Sequence, residues 1–143
     1  AKVDDPSIIT TSFEEIANDP EIEIVVEVMG GKQPAMNYIL ACLDAGKNVV
    51  TANKDLVASE GKKILATAKR NGKDFLYEAS VAGGIPIIRP VKQCLAANHI
   101  TELMGIFNGT TNFILTKMSQ EGMEFGDALR LCRSRPDRRC GRS

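Results

Sequence analysis

The sequence predicts an α/β fold with parallel strands, because short strand-like runs alternate with amphipathic helical stretches. Three of these runs end in small, polar or charged residues, namely Met29-Gly30-Gly31, Thr51-Ala52-Asn53-Lys54 and Glu78-Ala79-Ser80-Val81-Ala82-Gly83-Gly84. Right-handed crossovers bring successive strand ends to one edge of a parallel sheet. Ligands of open α/β sheets bind at that carboxyl edge. We therefore expect these three segments to converge on one site.

The first helix and the first strand are predicted from a cap and an alternating pattern. Ser12 and Glu15 have the spacing of a capping box, which opens a short helix ending near Asn18. Residues 21–28 alternate as a strand does, with three apolar side chains on one face: Ile22, Ile24 and Val26.

Two longer helices are predicted to connect this strand to two more strands. Pro34 suits the first turn of a helix, and Gly46 and Gly72 suit the residue that follows one. The expected elements are a helix over 33–45, a strand at 49–50, a helix over 56–71 and a strand over 75–77.

The pattern changes after the third strand, and we place a domain boundary between Ser80 and Ile85. The elements expected beyond it are a helix over 85–98, a strand over 100–107, a turn over 108–112 and a helix over 113–120.

The composition is that of a soluble globular protein, with 43% hydrophobic and 25% charged residues. No apolar run approaches the roughly 20 residues that span a bilayer. The first residues also lack the pattern of a signal peptide. We therefore expect a cytoplasmic protein whose partners do not include a membrane.

The C-terminal segment differs in composition from the rest of the chain. Residues 1–129 hold 12 Lys and Arg against 17 Asp and Glu, whereas 130–143 hold six Arg and one Asp. One interpretation is a basic arm that binds nucleic acid. We favour a foreign or out-of-frame terminus, because the helical pattern of 125–131 stops without a cap. With so few apolar side chains, 130–143 is expected to be disordered, and no nucleic-acid partner is expected.

Lys54 is the first candidate for chemistry, since it stands between a strand end and a helix N-terminus. A cation beside free helix N–H groups suits phosphate, carboxylate or a carbonyl oxygen. The alternative is a solvated surface lysine, which is the commoner fate of a single Lys. The small residues before it, Thr51, Ala52 and Asn53, favour the functional interpretation.

Three further features fit a ligand but have ordinary structural explanations. Gly30 and Gly31 allow a ligand to approach the backbone, yet glycine pairs commonly form simple turns. Glu78 with nearby carbonyl groups suits a hard cation, although loop amides bind carboxylates equally well. Residues 108–112 suit an anion, but Thr and Asn are also common helix caps.

Taken together in order and spacing, these motifs resemble the homoserine dehydrogenase family. The strings that carry the resemblance are VVEVMGG, AGKNVVTANKDLVA, EASVAGGIPII and GIFNGTTNFIL, and the resemblance runs from about residue 5 to residue 129. It implies an oxidoreductase that interconverts aspartate semialdehyde and homoserine with NAD or NADP. That reaction belongs to threonine and methionine biosynthesis. It also implies a homodimer for the intact enzyme.

The resemblance also implies roles for individual residues. Lys54 would contact the nicotinamide side of the cofactor and the reaction centre, and Gly30 and Thr51 would line the same cofactor groove. Gly109 and Thr110 would lie near the substrate. A monovalent cation, Na⁺ or K⁺, would bind Glu78 and three backbone oxygens, those of Val81, Gly83 and Ile85.

The implied fold is the second half of a Rossmann-type parallel sheet followed by the start of an α+β catalytic and dimerisation domain. Residues 1–80 would be a partial NAD(P)-binding domain, 81–129 the start of the second domain, and 130–143 an aberrant tail. The family's glycine-rich phosphate-binding turn is not found before residue 21. Neither the family's catalytic Asp nor its proton-donating Lys aligns with this chain. We therefore expect an internal piece of the enzyme that is inactive alone.

Two alternatives belong to other classes. A non-catalytic dimerisation or binding fragment would keep the fold without turnover. A thiol-dependent aldehyde dehydrogenase is disfavoured, because no cysteine lies at a strand end beside a histidine.

Overall fold

The computed structural model describes residues 5–83 and 85–134. The chain divides into two compact units between Ser80 and Val81, which we name the sheet unit (residues 1–80) and the helical unit (residues 81–143). Among the described residues, no helix has the length and apolar character needed to cross a bilayer.

The sheet unit contains three parallel strands, as the sequence predicts, and their order in the sheet is β1-β2-β3. Their bounds are β1 Ile24–Glu27, β2 Asn48–Thr51 and β3 Phe75–Leu76. Three helices complete the unit: α1 Phe13–Asn18, α2 Ala35–Asp44 and α3 Lys54–Arg70. Since α2 and α3 each connect neighbouring parallel strands, right-handed crossovers place both on the same face of the sheet.

The core of the sheet unit lies between that sheet face and the helices α2 and α3. Its buried members come from both layers: Ala35, Met36, Ile39, Cys42, Leu43, Val49, Leu56, Ile64, Ala68 and Phe75. The opposite face of the sheet is more exposed, and Ile24 and Val26 keep 59% and 62% of their accessible surface. The apolar face that the alternation predicts for β1 is therefore not the face that the helices cover.

Local caps explain where the helices begin. The Ser12 hydroxyl accepts a hydrogen bond from the Glu15 amide at 3.4 Å, which confirms the predicted start of α1. The Glu15 carboxylate accepts from the Thr10 hydroxyl at 2.6 Å. The helix α3 begins two residues earlier than predicted, because Asn53 caps it through the amide of Leu56.

The helical unit contains two packed helices, α4 Gly109–Glu121 and α5 Phe125–Ser134. Ile114, Ala128 and Cys132 form the buried centre of this pair. The helix α4 begins four residues before the predicted position, because the Asn108 side chain accepts from the Thr111 amide at 2.9 Å.

Two predictions for the helical unit are wrong. The predicted helix over 85–98 is reduced to a short helical segment that includes a π-helical turn, Pro90–Cys94. The predicted strand over 100–107 does not form, and Met104 and Ile106 are 85% and 70% exposed. A strand needs a paired neighbour, and the described part of the helical unit contains no other strand.

The helix α5 also continues through the first residues of the segment expected to be a disordered tail. It extends to Ser134, and Cys132 is fully buried against the other helix of the pair. The expectation of disorder is therefore wrong for 130–134, because a buried side chain at helical spacing keeps the segment folded. The rest of that segment, 135–143, lies outside the described residues.

Candidate functional site

The carboxyl ends of the three strands lie side by side at one edge of the sheet. Glu27 at the end of β1 is in register with Thr51 at the end of β2, and Val50 is in register with Leu76 of β3. Gly30, Lys54 and Glu78 each follow one of these strand ends by two or three residues. The 3₁₀ turn Glu78–Ser80 contacts both β2 and α3. The geometry therefore brings Gly30, Lys54 and the turn that begins at Glu78 to the same edge.

Lys54 is the first residue of α3 and its side chain is exposed. In the described part of the chain its ammonium group belongs to none of the ion pairs. The N-terminal amides of α3 point towards the same edge, and the positive end of the helix dipole adds to the lysine charge. This corner of the edge is suited to an anionic group or to a polarised carbonyl oxygen.

The loop after β1 has a backbone that glycine permits and other residues resist. Gly30 and Gly31 have φ angles of +79° and +71°. A Cβ atom on Gly30 would meet no atom within 4 Å, so the space beside it is open to solvent. Glycine at both positions therefore provides a turn without side chains, along which a flat ligand can approach the backbone.

A hydrogen-bonded group of three buried side chains supports this edge, and we name it the edge network: Glu27, Thr51 and Asn53. The Thr51 hydroxyl donates to Oε2 of Glu27 at 2.6 Å and accepts from the Asn53 amide at 3.0 Å. The Asn53 side-chain amide donates to the Gly31 carbonyl at 2.5 Å. The ends of β1 and β2 and the start of α3 are thus tied together.

The structure changes what Thr51 can do at the site. Its side chain is fully buried, and its hydroxyl is used within the edge network. The hydroxyl therefore supports the groove from inside the sheet unit, and the exposed surface of the edge comes from other residues such as Gly30 and Lys54.

The residues expected to bind a monovalent cation follow β3. Glu78 is half-buried at the end of the sheet unit, whereas Val81, Gly83 and Ile85 belong to the first residues of the helical unit. Gly83 has a φ of +62°, and Ala82 before it has +55°. Groups of three or more His, Cys, Asp or Glu side chains suited to a metal do not occur among the described residues. One carboxylate with backbone oxygens is a different kind of site, so the cation site stays a prediction.

The residues expected near the substrate begin the helix α4. Gly109 and Thr110 are its first two residues, preceded by the Asn108 cap. The Asn108 side chain also accepts from the Thr111 hydroxyl at 3.2 Å. The capping function that the sequence left open for this turn is therefore present, and binding of a substrate stays a prediction.

A cavity of about 270 Å³ lies along β1 and the helices α1 and α2, and its lining reaches the carboxyl end of β1 at Glu27, Val28 and Met29. Its lining is mostly apolar and includes Phe13, Val25 and Tyr38. It includes neither Gly30 nor Lys54. The cavity therefore reaches the end of β1 from one side, whereas Gly30 and Lys54 lie on exposed surface at the same edge.

Sequence reasoning missed Glu27 and did not assign a role to Asn53. The signal for Glu27 was present, because an acidic residue ends an otherwise apolar strand, as Glu78 also does. The same position at the ends of two strands of one parallel sheet predicts two side chains at one edge. For Asn53, the signal was a capping residue directly before a helix.

Comparisons with known proteins match both units. The family model described as "Homoserine dehydrogenase, NAD binding domain" matches residues 4–78, and the model described as "Homoserine dehydrogenase" matches residues 86–135. A curated homoserine dehydrogenase of Bacillus subtilis is 48% identical over 123 residues, which is 86% of this chain and 28% of the relative. Another, from Synechocystis, is 48% identical over 87% of this chain and 29% of its own length.

Solved structures give the same result. A homoserine dehydrogenase from Thiobacillus denitrificans has a TM-score of 0.78 at 48% identity, covering 87% of this chain and 29% of that one. A hyperthermophilic archaeal homoserine dehydrogenase in complex with NADPH has a TM-score of 0.74 at 31% identity, covering 88% and 39%. The chain thus spans less than a third of the length of the curated relatives described above. Family models match both units, and the NAD-binding model by itself covers more than half of the residues. The chain therefore belongs to the homoserine dehydrogenase family.

Proposed function

We propose that this chain contributes part of the cofactor and substrate site of an NAD(P)-dependent homoserine dehydrogenase. The reaction is the interconversion of aspartate semialdehyde and homoserine, in the branch leading to threonine and methionine. The observation that carries the proposal is the sheet edge itself. Lys54 and the Gly30–Gly31 turn are exposed there on adjacent strand ends, above the buried edge network.

Each candidate residue has a proposed task. Lys54 places a positive charge beside the nicotinamide end of the cofactor and beside the aldehyde oxygen. Gly30 lines the groove with bare backbone, and the fully buried Thr51 supports the groove from below through its hydrogen bonds. Gly109 and Thr110 contact the substrate near the N-terminus of α4.

The residues at the edge fit a nicotinamide cofactor. The open space beside Gly30 admits a planar ring close to the backbone. The lysine and the helix N-terminus offer positive charge and amide donors. When bound, the cofactor supplies a hydride to the aldehyde carbon. The chain's own contribution is to orient the cofactor and to stabilise negative charge on the aldehyde oxygen.

The remaining assignments follow from the family. Residues 1–80 belong to the NAD(P)-binding domain and 81–129 begin the catalytic and dimerisation domain. Of the predicted tail, 130–135 lies within the family match, so the proposal of a separate origin is limited to 136–143. A monovalent cation, Na⁺ or K⁺, binds Glu78 and the carbonyl groups of Val81, Gly83 and Ile85. The intact enzyme is a cytoplasmic homodimer.

Binding of NADPH to the purified 143-residue chain tests the assignment of Lys54. We expect weak, saturable binding, followed by the fluorescence of the reduced nicotinamide. Lys54→Ala should weaken it by about tenfold, or ~1.4 kcal/mol, since the charge at the edge is lost. Lys62→Ala, which removes an exposed lysine further along the same helix, should leave it unchanged. Equal binding by wild-type and Lys54→Ala proteins would contradict the assignment.

A turnover assay separates the enzyme from a non-catalytic binding fragment. NADPH oxidation in the presence of aspartate semialdehyde is measured for the wild-type chain and for Lys54→Ala. We expect little or no turnover from this chain alone, because a general acid typically contributes ~10²–10⁴-fold and the family's proton-donating lysine does not align here. Turnover at the rate of an ordinary dehydrogenase, abolished in the variant, would show that the chain is catalytically sufficient.

A further inference from the structure

Glu27 ends β1 with a carboxylate on the covered face of the sheet, where only 5% of the residue is exposed. Its Oε1 accepts from the backbone amides of Met29 at 2.7 Å and Gly30 at 3.4 Å. Its Oε2 accepts from the Thr51 hydroxyl at 2.6 Å. Within the described part of the chain, no ion pair involves this carboxylate.

Burying the Glu27 carboxylate costs free energy, which its hydrogen bonds must offset. A buried carboxylate loses its hydration, and only charge-assisted hydrogen bonds compensate for that loss. Apolar side chains are the usual residues on a covered sheet face, such as the buried Val49 and the partly buried Val25 here. Packing alone therefore does not account for Glu27, whereas its three hydrogen-bond donors do.

Those donors come from two separate segments of the edge. Met29 and Gly30 belong to the loop after β1, and Thr51 ends β2. Asn53 closes the connection, because its amide group donates to Gly31 and its oxygen caps α3. The glycine turn is thus held at both ends, by its own strand and by the start of the lysine-bearing helix.

We propose that Glu27 is a positioning residue, which fixes the Gly30–Gly31 turn relative to the Lys54 end of α3 without itself contacting a ligand. The effect on cofactor affinity rests on the proposed function. The effect on the turn does not, because it follows from the hydrogen bonds alone. Glu27 therefore sets the shape of the groove from inside the sheet.

Glu27→Gln in the full 143-residue chain tests the proposal, with Glu23→Gln as the matched control. The two changes remove the same charge, but Glu23 is exposed and lies just before β1. Glutamine has one acceptor oxygen where glutamate has two, so it cannot accept from the Thr51 hydroxyl and from the loop amides together, and its neutral oxygen binds either donor more weakly. We expect Met29 and Gly30 amides to exchange with solvent about tenfold faster in Glu27→Gln, and NADPH to bind about tenfold more weakly. Glu23→Gln should change neither.

Substitutions of Thr51 distinguish a positioning role from a packing role. They act on the hydrogen bond between Thr51 and Glu27 without changing Glu27 itself. Thr51→Val keeps the shape and removes the hydroxyl, whereas Thr51→Ser keeps the hydroxyl and removes a methyl group. Positioning predicts that Thr51→Val loses amide protection and NADPH affinity and that Thr51→Ser keeps both. A packing role predicts the reverse order. That reverse order would overturn the proposal even if Glu27→Gln did not fold.

Two results distinguish this proposal from the proposed function. Unchanged amide exchange at Met29 and Gly30 in a folded Glu27→Gln variant would overturn the positioning role, whatever the cofactor does. Suppose instead that the amides exchange faster in Glu27→Gln but that Lys54→Ala does not change NADPH binding. That result would support the positioning of the turn and contradict the proposed cofactor site.

Discussion

Single polar side chains at the ends of the strands and helices connect elements that are distant in sequence. Asn53 caps α3 and also binds the Gly31 carbonyl, so one residue orders a helix and a loop. Lys47 is buried and donates to the carbonyl groups of Asp19 and Ile22 at 2.5 and 2.8 Å, which fixes the segment before β1. Such residues decide the geometry of an edge because each satisfies groups on two segments at once.

Asp44 at the end of α2 is a residue whose titration reports the contact between two helices. The Asn71 amide donates to it at 2.7 Å, and the Arg70 guanidinium at 3.1 Å. The Asn71 hydrogen bond, followed by the Arg70 contacts, lowers the pKa of Asp44 below its ordinary value of 3.8. A carboxylate with a lowered folded-state pKa stabilises the fold above the ordinary value, and this contribution is lost as pH falls through the lowered pKa.

Asn71→Ala should therefore raise the pKa of Asp44 towards its ordinary value, as followed by carboxyl-carbon NMR. Asn37→Ala, at an exposed position on α2, should leave the titration of Asp44 unchanged. A pKa of Asp44 that is the same in wild-type and Asn71→Ala proteins would show that the amide does not stabilise the carboxylate.

At the scale of elements, α3 both carries the candidate lysine and supplies the core. Lys54 begins this helix, and Leu56 and Ile64 lie fully buried on its inner face. The same helix ends against Asp44 of α2. The position of Lys54 therefore depends on the packing of its helix as well as on the cap.

Leu56→Ala should lower the free energy of unfolding by about 2–5 kcal/mol, because it removes a fully buried side chain from the core. Leu65→Ala, on the same helix with 36% of the residue exposed, should cost markedly less. Urea unfolding followed by circular dichroism measures both. Equal destabilisation by the two variants would contradict the assignment of the inner face.

At the scale of the whole molecule, the sheet unit has a core of its own. The ten buried apolar residues of that core all lie between Ala35 and Phe75. The buried centre of the helical unit is smaller and lies between Ile114 and Cys132. Each unit therefore has a buried apolar cluster made of its own side chains.

A chain that ends at Ser80 should consequently unfold in one cooperative urea transition, since a domain with its own core folds alone. Leu56→Ala within the short chain should move that transition to lower urea. A gradual, non-cooperative loss of helix signal would show that the sheet unit depends on the rest of the chain.

The sequence by itself determined the order of strands and helices in the sheet unit and the edge at which Gly30, Lys54 and Glu78 meet. These features depend on local spacing, on caps such as Ser12 and on the handedness of crossovers, all of which are determined by short stretches of the chain. The parallel sheet confirms that part of the prediction. The roles proposed for Lys54, Glu78 and Gly109 stay predictions.

Only the tertiary structure decided which face of β1 is covered, and therefore that Glu27 lies inside while Val26 is exposed. It also decided that residues 100–107 do not form a strand and that Cys132 is buried. An alternating pattern identifies two faces of a strand but not the one that meets a helix. Strand pairing and burial depend on partners far along the chain, and local residue patterns do not specify those partners.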